Sequence, residues 1–98
     1  MKAPRFEWDP AKSRANQKKH RVSFEEAQTV FFDEGALLAS DPDHSAEEDR
    51  FLIIGFSIQL RVLLVCFCDR RKGHVSRIIS ARKASKREQK QYVEGTLL

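Results

Sequence analysis

Two strongly apolar runs, Phe51–Ile58 and Val62–Cys68, are separated only by Gln59-Leu60-Arg61. No other feature limits the fold of this chain so tightly. The length of the runs and their β-branched and aromatic content predict strands, and so short a link predicts an antiparallel hairpin. Both alternating sets of side chains are apolar, which predicts central strands covered at least in part on both faces.

A sheet of this kind in a chain of 98 residues leaves room for one domain spanning residues 1–98. Hydrophobic residues make up 41% and charged residues 33%, a globular mixture rather than a disordered one. No apolar run approaches the roughly 18 residues of a membrane span, and Met1–Trp8 lacks the apolar stretch of a secretion signal. Cys66 and Cys68 sit two apart inside an apolar strand, which argues against a secreted disulfide framework. The expected compartment is the cytoplasm.

The flanking segments carry clear start and stop signals. Arg5–Trp8 reads as a short extended opening with Phe6 and Trp8 on one side. Asp9-Pro10 supplies a cap acceptor followed by proline at the first helical position, so a helix is expected over 10–19. Its only apolar residues, Ala11 and Ala15, place it on the surface. Ser23-Phe24-Glu25-Glu26 is a capping box opening a helix to about Phe32, with Phe24, Ala27, Gln28 and Phe31 on one face and Val30 beside them. Gly35 ends that segment, and Ala36–Ser40 is expected as a strand before the polar loop Asp41–Asp49. After the hairpin, Arg71-Lys72-Gly73-His74 reads as a turn and Val75–Ala81 as another strand. Simple alternation groups Arg77 with Val75 and Ile79, and Arg82 with Ile78 and Ser80. Ser85-Lys86-Arg87-Glu88 is a second capping box, opening a helix to about Glu94 that docks through Tyr92 and Val93. The expected fold is α+β, order β-α-α-β-β-β-β-α, a small antiparallel sheet with two N-terminal helices and one C-terminal helix.

Charge divides the chain. Residues 1–49 hold 7 Lys and Arg against 11 Asp and Glu, whereas residues 50–98 hold 11 against 3. Within 70–90 the only acid is Glu88. Such one-sidedness favours a polyanion, foremost a nucleic acid, or an acidic protein surface. There is no glycine-rich phosphate loop, nucleophile elbow or dinucleotide fingerprint, and His20, His44 and His74 are too scattered to form a zinc triad. No cofactor is expected.

Phosphodiester cleavage in RNA asks for little. A base near the 2′-hydroxyl, an acid for the leaving oxygen and cations around the phosphate suffice, because the RNA supplies its own nucleophile. His44 and Glu48 in the polar loop, Arg50 at a strand entrance, and Arg77, Arg82 and Lys83 on the basic strand are the candidates. Arg70 with the turn residues Arg71 and Lys72, and the helix-end cluster Lys18-Lys19-His20, could contact the RNA backbone. A non-catalytic nucleic-acid-binding module, or a protein-interaction domain taking an acidic partner, would use the same basic stretch.

Motif order narrows the choice. Phe6-Glu7-Trp8-Asp9, Asn16 with Lys19-His20, and Val22-Ser23-Phe24-Glu25-Glu26-Ala27 with Val30-Phe31 resemble the opening of the BrnT family of toxins. The resemblance continues through Asp41-Pro42-Asp43-His44-Ser45, Glu48 with Arg50, Ile54-Gly55 and Leu63-Leu64-Val65. It ends with Arg77–Ala84 and Arg87-Glu88 with Tyr92, so it spans about residues 5–94. It implies a RelE-like ribonuclease fold and a type II toxin–antitoxin toxin that cleaves RNA and stops translation and growth. It further implies neutralisation by a BrnA-type ribbon-helix-helix antitoxin, which binds operator DNA and so links the toxin to it indirectly. Carried onto this chain, the catalytic candidates are His20, His44, Glu48, Arg50, Arg77 and Arg82. Glu48 or a neutral His44 or His20 would be the base, and a histidine or lysine the acid. Lys19, Arg70, Arg71, Lys72 and Lys83 are the RNA-binding candidates.

Three positions depart from the family pattern. Arg21 stands where glycine is usual after Lys-His, so a left-handed conformation there would cost about 1 kcal/mol. The link Gln59-Leu60-Arg61 lacks the common turn glycine. Cys66-Phe67-Cys68 replaces an aliphatic, aromatic and threonine pattern, which exchanges a hydroxyl at position 68 for a poorer donor.

Overall fold

The computed structural model describes residues 5–41, 50–70 and 75–96. Its elements are β1 (Arg5–Glu7), α1 (Pro10–His20), α2 (Phe24–Thr29), β2 (Leu37–Ser40), β3 (Arg50–Phe56), β4 (Val62–Arg70), β5 (Val75–Lys83) and α3 (Lys86–Glu94), with a 3₁₀ turn over Val30–Phe32 after α2. The expected order is therefore present. The five strands form one sheet in the order β1-β5-β4-β3-β2, with the predicted hairpin strands and β5 at its centre. The sheet is mixed rather than wholly antiparallel, because β1 lies parallel to β5 through the pairs Arg5–Val75, Phe6–Ser76 and Glu7–Arg77. A short opening strand connected through α1 and α2 reaches the far edge of the sheet, a pairing that no local turn signal encodes.

The core lies between the sheet and α2 with its 3₁₀ turn. Val22, Phe24, Ala27 and Val30 from the helical layer meet Ile53, Leu63, Val65, Phe67, Ile78 and Ala81 from the sheet. Phe6, Trp8, Phe31 and Phe51 pack against this cluster, Phe31 lying edge-on to both Phe6 and Phe67. Both helical capping boxes were expected, and one is complete: Ser85 and Glu88 bond reciprocally. In the other, Ser23 Oγ accepts from the Glu26 N–H, but the Glu26 side chain turns inward to Ser57 and Arg61 instead. α1 is a surface helix whose inward residues are Ser13 and Asn16, whereas Ala11 and Ala15 are exposed.

That polar face has a purpose. β1 covers only the first three residues of β5, so the Ala81 backbone would otherwise lack a strand partner on that edge. The Asn16 side chain accepts from the Ala81 N–H at 3.1 Å and donates to the Ala81 and Val22 carbonyls at 2.8 and 2.9 Å. One amide thus replaces a strand and fixes α1 against β5. The helix then ends at Arg21, which takes the left-handed conformation (φ 59°) expected of the glycine it replaces.

The other face of the sheet is covered only in part. α3 contributes no fully buried residue. It docks through Tyr92, whose ring lies edge-on to Phe56 and whose hydroxyl donates to Asp33 Oδ2 at 2.6 Å. Burial pushes the Tyr92 phenol up to about 12, and Asp33 adds to the rise. Val93, expected as a second docking residue, is 82% exposed, because the Tyr92 and Glu88 contacts set the rotation of the helix.

Candidate active site

The uncovered part of that face holds a cleft of about 480 Å³ lined by His20, Asp41, Arg50, Leu52, Leu64, Cys66, Ile79, Ser80, Ala81 and Arg82. Its floor is aliphatic, and its ionisable groups arrive from five elements or their ends. Asn16 anchors α1, so His20, one turn later, reaches the cleft from beyond the free edge of β5. Asp41 follows β2 and donates its backbone N–H to the Arg50 carbonyl at 3.0 Å. Arg50 opens β3 opposite Cys68. Arg82 lies near the end of β5 opposite Leu64.

A β-bulge decides which side chains share this face. Cys66 pairs with Ser80 but the next residue, Phe67, pairs with Ile78, so Ile79 is an extra residue in β5. Plain alternation puts Arg77 and Arg82 on opposite faces. The inserted Ile79 resets the parity, so that Arg77 opposite Cys68 and Arg82 opposite Leu64 stand on the same face. Ile78 and Ser80, grouped together by alternation, are correspondingly split, Ile78 entering the core and Ser80 lining the cleft.

The two arginines are held differently. Arg77 donates from Nη1 to Glu7 Oε2 at 2.6 Å, and it does not line the cleft. Arg82 donates from Nη1 and Nη2 to Glu88 Oε1 and Oε2 at 2.8 and 2.9 Å, a two-point fork that reaches from the cleft to the first turn of α3. These bonds from Arg82 hold the Glu88 carboxyl below its ordinary value despite partial burial, with the Ser85 backbone N–H assisting.

Cys66 is the cysteine that faces the cleft, while Cys68 is buried. Its thiol donates to Asp41 Oδ2 at 3.6 Å. Burial and the neighbouring Asp41 charge push it up to about 11, against the opposing pull of Arg50. Cys66 therefore stays a neutral thiol at physiological pH and is unsuited to act as a nucleophile. Asp41, Cys66, Ser80 and Glu88 are not among the catalytic or RNA-binding residues expected from the sequence. The signal for Asp41 was its place at the head of the Asp41-Pro42-Asp43-His44-Ser45 motif.

Other expected site residues fall elsewhere. Lys83 pairs with Leu63 and lines a separate hollow with Arg61 and Tyr92, so the parity of β5 carries it away from the cleft. Lys19 lines a shallow hollow that shares His20, Ile79 and Ser80 with the cleft. Arg70 is exposed at the end of β4. His44, Glu48, Arg71 and Lys72 lie outside the described residues. Among the described residues, no three His, Cys, Asp or Glu side chains gather as a metal site.

The family described as the ribonuclease toxin BrnT of type II toxin–antitoxin systems matches residues 8–88. The chain belongs to the BrnT family. It is thus a ribonuclease toxin of the type II class, whose members act on RNA and are held by an antitoxin. The fold agrees: the crystal structure of the Brucella abortus ribonuclease toxin BrnT superposes with a TM-score of 0.65 at 23% identity, covering 86% of this chain and all of that one. No curated protein matches. Within this BrnT-family protein no described helix is long and apolar enough to cross a membrane.

Proposed function

We propose that this protein cleaves RNA in the cleft by attack of a 2′-hydroxyl on the adjacent phosphorus, with no metal ion taking part. The 2′-oxygen bonds to phosphorus, the bond to the 5′-oxygen breaks, and the products are a 2′,3′-cyclic phosphate and a free 5′-hydroxyl. Arg82 and Arg50 neutralise charge building on the phosphate oxygens. His20, or His44 or Glu48 from the segment joining Asp41 to Arg50, takes the proton of the attacking hydroxyl. A histidine or a lysine returns one to the leaving oxygen. Arg77, one pairing step beyond the bulge on the same face, and the cations Lys19 and Arg70, with Arg71 and Lys72, follow the backbone of the bound strand. Lys83 belongs with this outer group rather than with the scissile phosphate.

The observation that carries this reading is the convergence of Arg50, Arg82 and His20, from three separate elements, on one cleft. The partner is read as a BrnA-type ribbon-helix-helix antitoxin, with operator DNA reached through it, in the cytoplasm. Exposed Phe32, Phe56 and Ile58, which line a hollow of about 430 Å³, support docking of such a protein. Residues 1–98 are read as a single toxin domain.

Incubating purified protein with RNA in excess chelator tests the chemistry. Cyclic-phosphate products from the wild type, and at least tenfold less from Arg82→Ala and Arg50→Ala, are expected. Cleavage abolished by the chelator would overturn the metal-free mechanism, and undiminished cleavage by both variants would move the site elsewhere.

A further inference from the structure

A guanidinium offers five N–H bonds, and the way Arg82 spends them is informative. One from Nη1 and one from Nη2 go to the two Glu88 carboxylate oxygens, and Nη1 gives a second to the Lys83 carbonyl at 3.2 Å. The Nε–H and the second Nη2–H remain. They lie side by side on one edge of the guanidinium, and no described residue accepts from them. Two parallel donors at this spacing match two oxygens of a phosphate.

Glu88 is itself fixed. Its Oε1 accepts from the Ser85 N–H at 2.8 Å, and its own N–H donates to Ser85 Oγ at 3.1 Å. The carboxylate that grips Arg82 is therefore locked into the first turn of α3 rather than carried on a mobile side chain. It occupies the end edge of the guanidinium, so it orients the side edge without covering it.

We propose that Glu88 is a positioning residue, which aims the Nε and Nη2 edge of Arg82 at the scissile phosphate. The role rests on the reading of the cleft as the site of RNA cleavage. A salt bridge serving only to dock α3 would need no free edge on the arginine. An acid serving only to neutralise Arg82 would weaken phosphate binding.

Two measurements test it on wild type, Glu88→Ala, Glu88→Gln and Tyr92→Phe. The first is steady-state cleavage of RNA. Glu88→Ala is expected to lower kcat by about 10- to 100-fold with KM changed less than about threefold, since misaligned groups lose rate rather than affinity. Glu88→Gln, which keeps a neutral acceptor, recovers part of the loss. Tyr92→Phe removes the hydroxyl bond to Asp33 that docks α3 and lowers Tm while kcat stays at the wild-type value. The second measurement follows the Arg82 Nε–H resonance by NMR during titration with a 2′-deoxy oligonucleotide, which offers phosphodiesters without the attacking hydroxyl. The resonance is expected to shift in the wild type and to broaden and lose this response in Glu88→Ala. Equal kcat in wild type and Glu88→Ala, or an equal Arg82 response, overturns the proposal. A wild-type protein that cleaves no RNA would overturn the cleavage reading instead, and the Arg82 resonance would still decide whether Glu88 aims the guanidinium.

Discussion

Arg61–Glu26 and Arg82–Glu88 are built from the same two side chains and do opposite work. Arg61 gives Nε and Nη2 to Glu26 and a further Nη2 bond to the Arg21 carbonyl, so its side edge is consumed. Glu26 is 4% exposed and also accepts from the Ser57 hydroxyl. That pair ties the β3–β4 turn to the α1–α2 junction, at the opposite end of the hairpin from Arg50. Arg82 is held by its end edge in a pair that water reaches, and no described residue takes its side edge in the cleft. Which edge the carboxylate takes, and how deeply it is buried, separates a structural clasp from the cation proposed to meet the phosphate.

The largest effect should come from breaking the buried pair. Glu26→Ala strands Arg61 and the Ser57 hydroxyl, and a loss of about 3 kcal/mol is expected in urea unfolding. A loss below about 1 kcal/mol would show that the clasp contributes little. Arg82→Lys keeps the charge but loses the fork. Cleavage should fall about 30-fold, a barrier change of about 2 kcal/mol, while stability moves by less than about 1 kcal/mol. Matching losses of rate and stability would erase the distinction between the pairs.

Smaller effects come from the backbone flanking Arg61. Arg21 (φ 59°) and Leu60 (φ 62°) both hold left-handed conformations, one at the carbonyl that Arg61 bonds and the other immediately before it. Arg21→Gly and Leu60→Gly should each stabilise by about 0.5–1 kcal/mol, read as a higher denaturation midpoint with unchanged slope. A destabilising result at either position would show that the side chain makes up for its strained backbone.

Acid should distinguish the pairs most finely. The Arg61 hydrogen bonds hold Glu26 below its ordinary value of 4.5 despite burial, and Arg82 does the same for Glu88. A depressed carboxylate contributes stability fully above its unfolded value, and that contribution is lost as pH falls through the folded one. Stability should therefore decline as pH drops below about 4.5. Glu26→Gln should flatten that decline more than Glu88→Gln does, and the reverse ranking would contradict the assigned roles.

Much of this architecture could be read from the residues. The hairpin, the caps at Asp9, Ser23 and Ser85, and the order of elements follow from local signals that tertiary contacts did not override. The left-handed Arg21 was likewise visible as a missing glycine. Long-range pairings were not: the parallel β1–β5 pairing, and an asparagine standing in for a strand, depend on residues 65 or more positions apart. Of the residues lining the cleft, Arg50 and Arg82 were legible as candidates because cations suit a phosphate, and His20 because of its place in the family motif. Glu88 and Asp41 were not, since an acid among basic residues reads as solvent-facing balance until its partner is seen. Glu26 was taken for a helix cap because its buried partner, Arg61, lies 35 residues away.

The extra residue at Ile79 has a consequence for comparing relatives. A homologue one residue shorter in this strand could preserve every arginine and still segregate them across the two surfaces. Motif similarity here is meaningful only when the spacing between Arg77 and Arg82 is counted along with their identity.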